Sequence, residues 1–165
     1  MIPERLEQLR AEMRARGIDV YLIPTADCHE SEYVGEHFKA RVFMTGFTGS
    51  AGTAVVTLTE AGLWTDGRYF IQAANQLKDT TVTLYRMREE GVPTVEAFLA
   101  DRLPEGGVLG FDGKVVNAHL GQDLAAIAAE KKGSLYTSED LVDLIWKDRP
   151  ALSCEPVWIL KEEYA

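Results

Sequence analysis

The sequence predicts an α/β fold, with a mixed β-sheet and helices packed on it. Segments with helical spacing and segments with strand character alternate along the 165 residues. Three strand segments also follow one another before the regular alternation begins, which favours a mixed rather than a purely parallel sheet. The apolar content of 46% is enough for the core of one full domain, and the length is too short for two comfortable ones.

The first third of the chain is predicted to contain one helix and then strands. Residues 3–16 form an amphipathic helix because Leu6, Leu9 and Met13 recur with helical spacing. Gly17 stands where a C-cap glycine belongs. The three consecutive strands are rich in β-branched and apolar residues, and they are expected at residues 19–24, 53–58 and 62–64.

The remainder alternates helix with strand. A helix is predicted after Arg68 because its apolar residues fall on one face, namely Phe70, Ala73, Ala74 and Leu77. Asn117 and Ser138 are expected to cap the last two helices, the second of which ends before Pro150. The helices and strands of this part are expected at residues 81–85 (strand), 95–103 (helix), 108–111 (strand), from 117 (helix), 134–136 (strand) and from 138 (helix).

Composition and charge exclude several classes of function. Seventeen basic against 26 acidic residues give a net charge of −9, which argues against nucleic-acid binding because phosphate backbones are bound by clustered Lys and Arg. No apolar run approaches the roughly 18 residues needed to span a bilayer, and the charged N-terminus does not resemble a signal peptide. Cys28 and Cys154 are too few and too far apart for a disulfide framework. We therefore expect a cytoplasmic protein without a membrane or nucleic-acid partner.

A glycine-rich run, Gly46-Phe47-Thr48-Gly49-Ser50-Ala51-Gly52, invites three functional interpretations. A phosphate loop would need Lys followed by Ser or Thr, and a dinucleotide fingerprint would have to open a helix. A nucleophile elbow would need a glycine two residues before Ser50. None of these conditions is met. The favoured interpretation is a tight, close-packed turn before a central strand, in which glycines supply positive φ angles.

Metal-ligating residue types cluster only around Cys28, His29, Glu30 and Glu32, with His37 beyond. No spacing in this cluster matches a closed tetrahedral metal site, so a solvated loop leading to a helix is the better interpretation. A surface position is expected for His119. The paired carboxylates lie at helix ends, where they complement the helix dipole. We therefore predict neither catalytic residues nor a metal site in this chain.

The segment Thr65-Asp66-Gly67-Arg68 is the remaining candidate. Asp-Gly is a strong hairpin signal, but the helical periodicity after Arg68 favours a corner from strand to helix. Thr65 or Asp66 would then cap the helix, and Gly67 would supply a positive φ that a β-branched residue cannot adopt cheaply. Arg68 is either a surface residue paired with Asp66, or it holds a carboxylate or peptide carbonyl with its planar donors.

Three stretches together resemble the N-terminal domain of the Xaa-Pro aminopeptidase family, of the larger, three-domain cytosolic type. They are Ile23–Thr25 with His29–Tyr33, Gly46–Ala54, and Trp64–Phe70 with Gln72–Ala74. Lys147–Pro150 resembles the sequence that closes this domain. The resemblance implies residues 1–150 as a creatinase/prolidase-like N-terminal domain and residues 151–165 as the start of the linker or second domain. It implies a mixed, roughly six-stranded sheet flanked by helices.

The resemblance also implies a function. The family removes an N-terminal residue that precedes proline, using two divalent metals, usually manganese, held by two Asp, one His and two Glu in a C-terminal catalytic domain. None of these ligands can be assigned here, so the chain alone is expected to bind no metal and to be non-catalytic. Arg68 corresponds to the arginine that contacts the peptide substrate, and a homodimer is expected. The alternatives are a purely structural or dimerisation module, and a free-standing domain that binds a peptide or small ligand.

Overall fold

The computed structural model describes residues 1–164 and contains one six-stranded mixed sheet with helices on both faces, which confirms the predicted fold class. The strand order is β4-β3-β2-β1-β5-β6. The strands are β1 (Val20–Pro24), β2 (Thr53–Thr57), β3 (Ala61–Thr65), β4 (Val82–Arg86), β5 (Val108–Phe111) and β6 (Ser134–Tyr136). The helices are α1 (Ile2–Arg16), α2 (Ala40–Thr45), α3 (Phe70–Gln76), α4 (Val95–Arg102), α5 (Ala118–Glu130) and α6 (Leu141–Ile145).

The strand directions place most loops of interest at one edge of the sheet. β2 pairs antiparallel with both of its neighbours, β1 and β3. The pairs β3–β4, β1–β5 and β5–β6 are parallel. Five strands therefore run in the same direction, and their carboxyl ends meet at one edge, here called the carboxyl edge. The segment that enters β2 lies at the same edge, because Thr53 pairs with Pro24 and Trp64.

The sheet is covered on both faces, and β1 shows how the sequence achieves this. Its side chains alternate between two buried clusters, with Tyr21 and Ile23 on one side and Val20 and Leu22 on the other. Helices α1, α2, α3 and α6 contribute to the first cluster, whereas α4 and α5 contribute to the second. Because both faces are buried, the strand reads as a continuous apolar run, as is typical of a central strand.

The helix boundaries follow the expected capping residues with one exception. Gly17 ends α1 in the left-handed conformation with φ 66°, and the Asn117 side chain accepts a hydrogen bond from the Leu120 N–H at 2.8 Å. The prediction that Ser138 caps the last helix is wrong. Asp140 is the cap, because its carboxylate accepts a hydrogen bond from the Val142 N–H at 2.9 Å. The helix therefore starts at Leu141.

The expectation that glycines of the glycine-rich run supply positive φ angles is wrong in part, and the expectation of a positive φ at Gly67 is wrong. Within the glycine-rich run only Gly46 has a positive φ, of 76°, and it ends α2, a short helix for which the sequence pattern gave no bounds. Gly67 does not lie in the left-handed region. A Cβ atom at Gly67 would meet nothing closer than Phe70 Cε2 at 3.9 Å, whereas one at Gly52 would lie 2.9 Å from the carbonyl oxygen of Trp64. Close approach, and not backbone freedom, is what requires glycine at position 52.

None of the helices in the part of the chain that the structure describes combines the length and the apolar character that crossing a membrane requires.

Gly52→Ala and Gly67→Ala form a matched pair that tests this distinction. Gly52→Ala should lower the free energy of unfolding by about 1–3 kcal/mol, because the new methyl group overlaps backbone that cannot move without disturbing β3. Gly67→Ala should change it by no more than about 0.5 kcal/mol. Urea denaturation of both variants measures the difference. Equal destabilisation would contradict the assignment of Gly52 as a close-approach residue.

Candidate functional site

Arg68 lies at the carboxyl edge, in a short 3-10 helix that links β3 to α3. β3 ends at Thr65, and Asp66 caps the 3-10 helix by accepting a hydrogen bond from the Arg68 N–H at 3.0 Å. The corner from strand to helix is therefore confirmed, and the hairpin alternative is wrong. Asp66 is the capping residue. Thr65 is buried and instead donates its hydroxyl to the Ala51 carbonyl at 2.7 Å.

The Arg68 side chain forms a two-pronged ion pair with Asp66. Its Nε donates to Oδ1 and one terminal nitrogen, Nη2, donates to Oδ2, both at 2.9 Å. The guanidinium also lies 5.2 Å from the centre of the Tyr69 ring. The ion pair lowers the pKa of Asp66 to about 2 and raises that of Arg68. The pair stays fully charged at neutral pH.

The Arg68 guanidinium keeps donors for a ligand. Its side chain is 70% exposed, and Nη1 makes no hydrogen bond within the described part of the chain. A guanidinium has five N–H donors in a planar fork, of which Asp66 occupies two. Asp66 fixes the orientation of the guanidinium, and a free pair of donors faces solvent. This arrangement suits recognition of a carboxylate or a peptide carbonyl.

A buried arginine, Arg41 of α2, organises the glycine-rich run beside this site. Only 2% of its surface is exposed. Its Nη1 donates to the Phe47 carbonyl at 2.6 Å and its Nη2 to the Gly49 carbonyl at 2.5 Å, while its Nε donates to the Thr25 hydroxyl at 2.9 Å. The Thr25 hydroxyl in turn donates to the Gly52 carbonyl at 2.6 Å. One guanidinium therefore ties the run to the end of β1.

Arg41 has no carboxylate partner within the described residues, and carbonyl dipoles stabilise its charge instead. Burial lowers the pKa of Arg41 to about 10, which leaves it protonated at neutral pH. Sequence reasoning missed this residue. No spacing pattern marks a buried arginine, because arginines lie at the surface by default.

The outer side of the run is held by hydroxyl and amide groups. Ser50 Oγ and the Tyr69 hydroxyl form a hydrogen bond of 2.7 Å, which connects the run to the residue after Arg68. The Thr48 hydroxyl accepts from the side-chain amides of Gln72 and Gln76 on α3, at 3.0 and 2.9 Å. The run is a close-packed turn before a central strand, as predicted, and it supports the Arg68 element from behind.

The other singled-out residues do not join Arg68 in a reactive cluster. Cys28 Sγ lies 3.3 Å from His29 Nδ1 on the surface, and His37 Nδ1 lies 2.8 Å from the Pro150 carbonyl. His119 is exposed on α5, 3.9 Å from an Asp123 carboxylate oxygen. Within residues 1–164, no group of three or more His, Cys, Asp or Glu side chains has an arrangement that could hold a metal ion.

The Asp66–Arg68 pair can be tested by titration. Arg68→Gln should raise the pKa of Asp66 from about 2 towards its ordinary value of 3.8, because the substitution removes the side-chain hydrogen bonds and the charge that favour the carboxylate and keeps only the bond from the backbone N–H. The pKa of Asp66 is lower in the folded state. The pair's contribution to stability is therefore present above about pH 4 and is lost as the pH falls to about 2. Carboxyl-detected NMR titration measures the shift, with Arg14→Gln as control. An unchanged Asp66 titration would contradict the pair.

Arg41 should be essential for stability. Arg41→Met should lower the free energy of unfolding by about 2–4 kcal/mol, since it leaves the Phe47 and Gly49 carbonyls and the Thr25 hydroxyl without their donors. Arg14→Met, at an exposed side chain, should cost no more than about 0.5 kcal/mol. Urea denaturation compares the two. A cost for Arg41→Met no larger than that of the control would show that the three bonds contribute little.

Comparison with known proteins identifies the family. A family model of the creatinase/prolidase N-terminal domain matches residues 5–145. A probable Xaa-Pro aminopeptidase P of Talaromyces marneffei is 46% identical over 98% of this chain, and aminopeptidase P2 of Arabidopsis thaliana is 41% identical over 100% of it. These alignments cover 25% and 24% of the two relatives, so the chain spans about a quarter of their length.

A solved structure agrees with these relatives. The crystal structure of X-prolyl aminopeptidase from Caenorhabditis elegans, described as a cytosolic enzyme with a di-nuclear active site, superposes with a TM-score of 0.88. It is 35% identical to this chain, and the match covers 99% of this chain and 28% of the other. The resemblance drawn from the three sequence stretches is therefore confirmed. The chain belongs to the creatinase/prolidase N-terminal domain family.

Proposed function

We propose that this chain is the accessory N-terminal domain of a dinuclear-metal Xaa-Pro aminopeptidase, which removes the N-terminal residue preceding proline in a peptide. Its role is to position the substrate and to contribute to dimerisation, and it is not catalytic alone. Support comes from similarity over 98–100% of the chain to Xaa-Pro aminopeptidases that are about four times as long. The TM-score of 0.88 against the nematode X-prolyl aminopeptidase adds to this support.

Arg68 is the residue proposed to contact the peptide. The observation that carries this proposal is the two-pronged pair with Asp66, which orients the guanidinium and leaves Nη1 free. Pairing with Asp66 is also what the surface-residue alternative predicts, and such an exposed pair contributes at most about 1 kcal/mol, so the proposal depends on the donors that the pair leaves free. A pre-oriented arginine binds a peptide carbonyl or carboxylate with a smaller loss of side-chain entropy.

We place the metals outside the residues described here. The nematode relative is described as di-nuclear, whereas residues 1–164 of this chain provide no cluster of three metal-ligating side chains. Two divalent metals, manganese as the family resemblance implies, are proposed to lie in a separate catalytic domain of the same protein, which is a partner of this domain. No step of the chemistry is assigned to the present residues.

The remaining parts of the proposal concern organisation. Residues 1–150 form the N-terminal domain, and residues 151–165 begin the linker or second domain. The last anchored contacts support this division, because Arg149 pairs with Asp140 at 2.5 Å and Pro150 accepts from His37, whereas residues 151–164 are exposed. The full protein is proposed to be a cytoplasmic homodimer, in keeping with the relative described as cytosolic.

Two other functions have distinct tests. In a purely structural or dimerisation module, Asp66 and Arg68 would serve only to stabilise the corner between β3 and α3. A free-standing peptide-binding or small-ligand-binding domain would have no catalytic domain encoded after residue 165. The downstream reading frame separates the latter from the proposal: two Asp, one His and two Glu in metal-ligand spacing support an aminopeptidase, and a stop codon contradicts it.

Substitution of Arg68 in the full-length protein tests the substrate contact. Arg68→Ala should lower kcat/KM for a Xaa-Pro peptide roughly ten- to a hundredfold, because a charge-assisted hydrogen bond contributes about 1.5–3 kcal/mol. Arg68→Lys should give an intermediate loss, since it keeps the charge without the planar fork. Arg14→Ala is the matched control. Unchanged kinetics together with an unchanged Tm would leave Arg68 a structural residue.

A further inference from the structure

A surface cleft lies next to Arg68 at the carboxyl edge. Its volume is about 640 Å³. Its walls combine the apolar side chains of Trp64, Met87 and Val95 with the charged side chains of Asp66, Arg68 and Arg88. Trp64 is buried, while Met87 is 42% exposed and offers an accessible apolar surface. The cleft therefore offers both an apolar wall and guanidinium donors to a ligand.

The charge of this cleft is opposite to that of the whole chain. The protein carries a net charge of −9, yet two arginines face one carboxylate here, and Arg68 already engages that carboxylate. A second cleft of about 500 Å³, beside His37, instead has an excess of negative charge, like the chain as a whole. Its charged residues are mostly acidic, with Lys114 and Arg149 against Asp112, Glu139, Asp140 and Asp143. The cleft beside Arg68 thus carries a local excess of positive charge on an acidic protein.

Arg88 is the cation that this cleft leaves without a partner. Its side chain forms no ion pair and no hydrogen bond with another residue in the range 1–164, whereas Arg86, two positions earlier, lies 3.9 Å from a Glu89 carboxylate oxygen. The charge of Arg88 is close enough to help lower the pKa of Asp66. An unpaired guanidinium beside a paired one is available for a ligand carboxylate.

The backbone at Arg88 is strained in a defined turn. Arg88 has φ 71°, in the left-handed region that L-residues other than Asn and Asp rarely adopt. The turn is closed by the Glu89 N–H donating to the Arg86 carbonyl at 3.2 Å, and it is joined to β3 by the Met87 N–H donating to the Thr65 carbonyl at 3.0 Å. Such a conformation persists where surrounding contacts determine it, and these two hydrogen bonds hold the Arg88 backbone in place at the cleft.

We infer that this cleft binds the carboxylate-bearing end of a peptide, with Arg88 contacting the carboxylate and Arg68 contacting a carbonyl nearer the N-terminus. The inference rests on the proposed function, which makes peptides the ligands. A carboxylate matches the planar guanidinium fork and is bound more strongly than a neutral amide carbonyl. The apolar wall formed by Met87 and Val95 accommodates the side chains between the two contacts.

The test compares peptides that differ only in the terminal group. The 165-residue chain is titrated with Ala-Pro-Ala as free acid and as C-terminal amide, and binding is followed by NMR chemical-shift changes. The free acid should bind about tenfold more tightly than the amide. The amide of Ala-Pro-Glu distinguishes a terminal carboxylate from a side-chain carboxylate. If this amide binds as tightly as the Ala-Pro-Ala acid, recognition of the terminal carboxylate is contradicted, and if it binds only as tightly as the Ala-Pro-Ala amide, that recognition is supported.

Three variants make the outcome decisive. Arg88→Gln should abolish the preference for the acid, and so should Arg88→Gly, which removes the side chain while relieving the positive φ and therefore cannot fail through added strain. Arg86→Gln is the control, because it removes the same charge two residues away and outside the cleft.

Equal binding of acid and amide, no binding of either, or an acid preference retained in both Arg88 variants would overturn the inference. Peptide cleavage by the full-length protein tests the proposed function separately, so either can fail alone.

Discussion

The buried guanidinium of Arg41 is the interaction on which the carboxyl edge of this domain depends. Loops normally run over the surface, because buried backbone polar groups need partners. Here the glycine-rich run turns back into the core, and Arg41 provides donors for the carbonyls of Phe47 and Gly49. A buried charge without a counter-ion is costly, and several well-placed acceptors offset that cost. The arrangement therefore stabilises the run only in this one conformation.

The position of the run has consequences for its neighbours. Because Gly49 and Gly52 have no side chains, Tyr69 and the Trp64 backbone can lie directly against the run. Tyr69 then forms its hydrogen bond with Ser50, and the 3-10 helix that carries Arg68 is fixed at both of its sides. Hydrogen bonds in the core thus help to fix the position of the exposed Arg68. This kind of support gives a surface arginine a defined orientation before any ligand arrives.

Sheet topology brings the remaining parts together. Five strands point towards the same edge, so residues that follow β3 and β4, some twenty positions apart in sequence, share one cleft. β2 is the exception in direction, and its antiparallel course brings the run that precedes it to this edge as well. Open α/β sheets bind their ligands outside the carboxyl ends of the strands, and the cleft beside Arg68 has that position.

The sequence by itself determined the fold class, nearly all helices and strands, and the family, because apolar periodicity, caps and short motifs are local signals. It also identified the corner at Asp66 and proposed the pairing of Arg68 with it, since both residues lie within three positions. Tertiary structure decided what depends on distant contacts. The role of Arg41, the need for glycine at position 52 and the presence of Arg68 and Arg88 in one cleft arise only when separate strands align. The same reason explains the error at Gly67: a glycine in the sequence suggests a positive φ or a close approach, and only the packed backbone shows that Gly67 has neither.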